Sequence, residues 1–422
     1  MEKLILGHDC ISNTDSQTTG LNNNVLVIGG SGSGKTMSYL EPNLLEKKES
    51  NIIVSIPKRN LVEKYMLDYQ NKGYKVYDMN YIKPELSKCG FDPLRYLNKS
   101  LDIASFARSI VYQHGMERMS KDPFWDESAL SLLIAMIGFV KFNEPQASFA
   151  RVVELLTNLT IEDSAYSGIE TNMDNDFKRT YVRNREFKYY YNCFQTFAKN
   201  PPKTASCIFT ALNSNIDKIF TPELLQMMST CEQIDFERFV SEKSILFIST
   251  SCVNEALDNY VNIFYSFLFK YLFEYAQNSK NFKLPIPLHI MIDDFACSAT
   301  IQNFPKYISM IRECDISTSI LIQSESQLIG LYGSANATTI INNCDRILYM
   351  GSMDLSTASD MSLRLNIPKE DVLYMEVGSM YVIQRGHKPK LTQRYRTLES
   401  HKYKRLNAEY EKHKHSNFYF IE

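Results

Sequence analysis

Asn22-Asn23-Asn24-Val25-Leu26-Val27-Ile28-Gly29-Gly30-Ser31-Gly32-Ser33-Gly34-Lys35-Thr36 decides how the chain is read. Its last eight residues, Gly29-Gly30-Ser31-Gly32-Ser33-Gly34-Lys35-Thr36, match the phosphate-loop pattern G-x-x-x-x-G-K-[ST] at every position. Val25 to Ile28 read as a short buried strand, and a helix is predicted from Lys35 toward Leu45. The glycines let the backbone turn tightly enough to aim several N–H groups at phosphate oxygens, and the helix N-terminus adds partial positive charge. Lys35 is then placed to reach terminal phosphates, and the Thr36 hydroxyl to hold Mg²⁺. The alternative is a plain Gly/Ser turn, which does not require the GKT ending. The stretch predicts a nucleotide-binding loop.

Outward from the loop, buried strands are predicted at 51–56 and 75–78 with a helix over 60–71 between them. Strand–helix–strand alternation implies an α/β fold with a mainly parallel central sheet. The pattern changes over about 103–199, where strand signals nearly vanish and helical stretches cover 129–142, 149–159 and 174–198. The aromatic cluster Tyr189-Tyr190-Tyr191 and Phe194 there fits either a base-stacking platform or packing on helical faces. Alternation resumes with strands at 244–249, 287–294, 316–322, 346–350 and 380–383 and a long aromatic-rich helix over 258–277. The expected division is 1–104 and 200–387 as two parts of one α/β domain, 105–199 as an all-α insertion, and 388–422 as a basic tail with a solvated helical face.

Composition narrows the class without naming it. With 422 residues, 44% of them apolar, the chain can bury a sizeable core. A formal charge of −2 does not advertise a nucleic-acid binder, yet basic residues confined to one surface would still serve one. No run of about 18 consecutive apolar residues occurs, which argues against a transmembrane helix, and Leu130 to Val140 reads as buried. The nine cysteines stand singly, without C-x-x-C, so neither a zinc site nor a disulfide framework is indicated and a reducing cytoplasm is the expected home.

Four further residues bear on chemistry. The apolar strand Leu288-His289-Ile290-Met291-Ile292 ends in Asp293-Asp294, where such folds place the metal-orienting carboxylate and the carboxylate that activates water. Gln323 closes the strand ending Ile320-Leu321-Ile322, a position that faces the ligand crevice of an open parallel sheet. Arg312 sits on a predicted helix, where it is either one half of a surface ion pair or a cation for a neighbouring subunit's nucleotide.

These residues carry a resemblance. The phosphate loop, Phe91-Asp92-Pro93-Leu94, Asp122-Pro123-Phe124-Trp125, Ile292-Asp293-Asp294-Phe295-Ala296, Ile311-Arg312, Gln323-Ser324-Glu325-Ser326-Gln327-Leu328 and Asn343-Cys344-Asp345-Arg346 follow one another as in the conjugative coupling-protein family. These are the TraG/TraD-like DNA-transfer ATPases of type IV secretion systems, and the match runs from Leu6 to about Leu365. The chain is most similar to versions from integrative elements of Gram-positive bacteria. The resemblance implies a RecA-like P-loop NTPase with an inserted all-α domain, ATP and Mg²⁺ as cofactors, and hexamers with nucleotide bound between subunits. It also implies Arg312 as a trans-acting finger, Gln323 as a phosphate sensor, and DNA, a relaxase and the secretion channel as partners.

Three departures qualify that expectation. The family's Asp-Glu is Asp293-Asp294 here, one methylene short, and a misplacement of about 1 Å can cost on the order of a hundredfold in rate. Its Asp-Pro-Lys is Ile56-Pro57-Lys58. The usual N-terminal membrane anchor is not seen, so the expected protein is cytoplasmic, either free or docked on a separate membrane subunit at the inner face of the membrane. Two functions stand open at this point: a DNA-transfer ATPase, and a catalytically weak nucleotide-binding adaptor that recruits the relaxase without moving DNA.

Overall fold

The computed structural model describes residues 2–112, 123–163, 168–250, 255–295 and 301–418. They fall into two compact units, one of Met1–Ile82, Ile234–Asn254 and Leu268–Glu422, the other of Lys83–Gln233 and Glu255–Phe267. The helical unit is therefore wider than the expected 105–199 and takes in the first half of the long helix Glu255–Asn278. Packing explains the difference: the Phe91 ring sits 5.2 to 6.2 Å from the rings of Tyr260, Phe264 and Phe267. The motif residue Asp122 and Ala296 lie outside the described residues.

The first unit is built on a nine-stranded sheet. Its spatial order is Lys390–Gln393, Ser379–Gln384, Arg346–Tyr349, Val25–Ile28, Ile316–Ile322, Leu288–Ile292, Asn51–Ser55, Ser244–Ser249, Lys75–Asn80. Every pairing from Arg346–Tyr349 to Lys75–Asn80 is parallel, while Ser379–Gln384 runs antiparallel to both its neighbours. The central strands are runs rich in Val, Ile and Leu and are buried at every position in Val25–Ile28, Asn51–Ser55 and Leu288–Ile292. Such runs suit strands covered on both faces, and they made this part of the fold readable.

Elsewhere the elements differ from expectation. The first residues form a hairpin, Lys3–Gly7 with Cys10–Asn13. Arg346 fastens it from within the sheet, its buried guanidinium donating to Ser12 Oγ at 2.8 Å and to Asn22 O at 2.5 Å. The helix after the phosphate loop opens with a wide π turn, Thr36–Leu40, before the α-helix Glu41–Glu46. The tail has the expected helix with a solvated face, His401–Phe418, but that helix also buries Tyr403 and Leu406 in the core, and Lys390–Gln393 before it is the edge strand. Lys64 holds that helix, donating to Tyr403 Oη at 3.1 Å while paired with Glu41 at 2.9 Å.

Among its described residues the second unit is helical apart from two short pairings, Cys89–Gly90 with Glu232–Gln233 and Ile161–Asp163 with Ile169–Thr171. The latter lies where no strand was expected, because three-residue strands carry too little alternation to read. The stretch 174–198 breaks into Asp174–Arg183 and Lys188–Ala198, with Asn184 capping the short turn between them. The helix Pro123–Asn143 packs on Lys188–Ala198, and Gly138 permits it: a Cβ there would stand 2.2 Å from the Tyr190 ring. Tyr190 and Phe194 are buried, and Phe194 stacks on Phe177 at 3.9 Å, so that part of the aromatic cluster is packing. By length and hydropathy Pro123–Asn143 is the one helix among the described residues able to cross a membrane, and its residues from Ser128 to Val140 are mostly buried in this unit.

Candidate phosphate-binding site

Parallel strands align their carboxyl ends, and the crevice beyond those ends is where open α/β sheets bind ligands. The phosphate loop leaves the Val25–Ile28 strand at that edge. Gly29 N–H donates to Ile322 O at 3.1 Å and Gly30 N–H to Gly351 O at 2.8 Å, which anchors the loop to the strand on either side. Gly32 and Gly34 take left-handed φ values of 73° and 83°, and a Cβ on Gly29 would lie 2.4 Å from Ser33 Oγ. The glycine spacing is thus a backbone requirement. Lys35 is buried, with Nζ donating to Gly29 O at 2.6 Å and to Gly30 O at 3.3 Å.

The Ile316–Ile322 strand separates the loop strand from Leu288–Ile292, so the turn after the latter reaches the same edge. There the Thr36 hydroxyl donates to Asp293 Oδ2 at 2.7 Å. Asp293 is buried, and its Oδ1 has no hydrogen-bond partner. Burial pushes its pKa above the usual carboxylate value; Asp294 adds to the rise, while the Thr36 hydrogen bond and the charges of Lys35 and Lys58 oppose it. A buried carboxylate oxygen left unpaired beside a threonine hydroxyl is costly unless a cation completes it. The donor set fits Mg²⁺. Among the described residues no cluster of three or more His, Cys, Asp or Glu side chains offers another metal site.

Asp294 is half-buried, with φ of +49°. Gln323 stands half-buried at the end of the intervening strand, its N–H donating to Gln327 Oε1 at 3.2 Å. The structure thus gathers residues 29–36, Asp293, Asp294 and Gln323 at one edge. Arg312 is not with them. It precedes the Ile316–Ile322 strand, is exposed, and donates to Gly20 O at 3.3 Å, at the amino ends of the strands. Seven residues of strand put it roughly 20 Å from the phosphate loop of its own chain. Lys58, which carried no role in the sequence reading, lies close enough to act on Asp293. Its position directly after the second strand was the available signal.

A phosphate loop paired with an acid-ended strand across one intervening strand defines a RecA-like P-loop NTPase fold. The sequence profile of the type IV secretory system conjugative DNA transfer family matches residues 4–365, and the chain belongs to that family. No curated protein matches it at a significant level. Solved structures give the same fold. The bacterial conjugative coupling protein TrwBdeltaN70, in a trigonal form with sulphate, is similar with a TM-score of 0.60 at 15% identity, over 88% of this chain and 85% of that one. The plasmid coupling protein TrwB in complex with a non-hydrolysable ATP analogue gives 0.58 at 14% identity, over 88% and 84%. VirB4 of Thermoanaerobacter pseudethanolicus gives 0.60 at 11% identity, over 96% and 98%.

Proposed function

We propose that the chain hydrolyses ATP and couples the reaction to moving DNA, or a relaxase–DNA complex, into a conjugative type IV secretion channel. The observation that carries this reading is the Thr36–Asp293 pair with its unpaired carboxylate oxygen, beside the buried Lys35 ammonium.

Catalysis here is mostly positioning and charge neutralisation, as phosphoryl transfer generally is. Loop N–H groups beyond the two that anchor it, within Ser31 to Thr36, cradle the phosphates, and Lys35 exchanges its carbonyl partners for phosphate oxygens. Thr36 and Asp293 would hold Mg²⁺, which supplies neutralisation of charge on those oxygens when bound. Asp294 accepts the proton of the attacking water as the bond from the terminal phosphorus to its bridging oxygen breaks, giving ADP and phosphate. Gln323, one strand away, senses the terminal phosphate. Arg312 belongs to the neighbour's site, because its own loop is out of reach and a homo-oligomer, a hexamer in the working state, brings it to another chain's nucleotide. The motor would work in the cytoplasm, at the inner face of the membrane beside a separate membrane subunit, with the relaxase and DNA as partners.

A nucleotide-binding adaptor is favoured by one observation, the short Asp294 carboxylate. Steady-state ATP hydrolysis with and without single- and double-stranded DNA separates the two, with Lys35→Ala as the blank. DNA-stimulated turnover that vanishes in Lys35→Ala is the expected result. Tight ATP binding without turnover, DNA included, would overturn the motor in favour of the adaptor.

A further inference from the structure

The phosphate loop has two flanks. On one lie Gln323, Asp293 and Asp294; on the other lies the end of the Arg346–Tyr349 strand, with Met350 and Gly351. A segment from far along the chain covers this second flank. Arg394 follows the edge strand Lys390–Gln393 and is tied back through its own N–H to Gly378 O at 2.8 Å. Its Nη2 donates to Met350 O at 2.9 Å, and its Nη1 lies 3.8 Å from where a Cβ on Gly34 would stand. Three residues on, the Thr397 hydroxyl donates to Met37 O, so the segment runs along Gly34–Met37.

The guanidinium is short of partners for such a place. Its Nε is buried without a hydrogen-bond acceptor, and among the described residues no carboxylate pairs with it. The buried cations among the described residues of this unit are better supplied: Lys64 has Glu41, Lys47 has Glu2, Lys35 has the carbonyls of Gly29 and Gly30, and Arg346, whose Nε is likewise without a partner, has four oxygen acceptors at its other nitrogens. A half-buried cation without an anion costs free energy unless one arrives. Arginine's planar fork also matches phosphate oxygens.

We propose that Arg394 is a nucleotide-binding residue that contacts the α/β-diphosphate of the nucleotide held by the loop of its own chain. The proposal rests on the nucleotide reading of that loop. The side it approaches from decides which phosphates it meets. The terminal phosphate belongs on the Asp293–Gln323 flank, so Arg394, on the Met350 flank beside Gly34 and the first helical turn, meets the inner ones. It lies beyond the residues 4–365 that the family profile matches, so the family match gives it no role.

The test is equilibrium binding of ADP and of a non-hydrolysable ATP analogue to the wild-type chain, Arg394→Gln and Arg394→Lys, with each variant's melting temperature measured without nucleotide. Gln retains a donor for Met350 O and removes the charge. The expected result is a loss of about 10- to 100-fold for ADP and the ATP analogue alike in Arg394→Gln, partial recovery in Arg394→Lys, and an unchanged unliganded melting temperature. Unchanged affinity in Arg394→Gln, or a loss that tracks a fall in melting temperature, would make the residue structural. A loss for the ATP analogue alone would overturn the assignment to the inner phosphates. Should the wild-type chain bind neither nucleotide, the reading of the loop itself fails, and Arg394 with it.

Discussion

The Thr36 hydroxyl donates to Asp293 Oδ2 at 2.7 Å across 257 residues of sequence, leaving Oδ1 of the same carboxylate buried and unpaired. The arrangement is unfavourable for the protein alone and favourable once a cation is shared. Local destabilisation of this sort is common where function, rather than stability, selects the residue.

Asp293→Asn is expected to abolish ATP hydrolysis, by at least about a hundredfold, while raising thermal stability in the absence of Mg²⁺ and nucleotide. The pH sign follows from the raised pKa. Between the ordinary value of 3.8 and the elevated folded value, the folded state holds a proton that the unfolded chain has lost, so wild-type stability falls as pH rises through that window. The stability gain of Asp293→Asn is therefore greatest at neutral pH and disappears below about pH 3.8. Melting curves at pH 4 and pH 8 check it; a gain equal at both would remove the carboxylate from the explanation.

Asp294 adopts φ of +49°, a conformation that Asp tolerates better than most side chains. The short carboxylate is thus the residue the backbone prefers, at the expense of reach. Asp294→Glu is predicted to raise the hydrolysis rate several-fold and lower stability by about 0.5–1 kcal/mol from backbone strain. Turnover and a urea midpoint measured on the same preparation decide the matter. Lower turnover in the variant would show that the active geometry is built around aspartate.

Arg312 at the opposite strand ends from Lys35 makes a prediction about mixtures. Arg312→Ala should bind nucleotide like the wild-type chain yet lose about 10³-fold or more in hydrolysis. Mixed with Lys35→Ala, it should recover part of the activity, since each mixed interface can pair an intact loop with an intact arginine. Absence of recovery under conditions where the chains assemble would place the arginine outside catalysis.

In the helical unit, Asp92 accepts N–H groups from Leu94 at 2.9 Å and from Phe149 at 3.1 to 3.2 Å. Burial nevertheless pushes its pKa up to about 6, against those hydrogen bonds and the charges of Arg95 and Lys141. By the same sign, the stability of this unit should fall by up to about 3 kcal/mol as pH rises from 4 to 6, then level off. Asp92→Asn should flatten that slope. Amide exchange of the Phe149–Thr157 helix across pH reads the effect locally, and an unchanged slope would assign it to another group.

The aspartate of Phe91-Asp92-Pro93-Leu94 and the arginine of Asn343-Cys344-Asp345-Arg346 help carry the family resemblance, and in this structure each makes structural contacts. Asp92 joins two helix starts, and Arg346 binds a hairpin to the sheet. Both roles need partners far away in sequence, such as Phe149 and Ser12, which no local pattern announces. The packed part of the tail is hidden for a similar reason. Lysines and arginines between Lys388 and Lys414 conceal a strand that pairs only because Ser379–Gln384 offers an edge, and a helix that docks by Tyr403 and Leu406.

The sequence by itself determined the phosphate loop, the α/β alternation and the acid-ended strand. Each is written in contiguous residues whose conformation is fixed by near neighbours: glycines where φ must be positive, mostly apolar runs where both faces are covered. Strand order was decided only by the tertiary structure, through side-chain packing and long-range hydrogen bonds. That order sets Asp293 against Thr36, sends Arg312 to the far end of the sheet, and brings Arg394 beside Gly34.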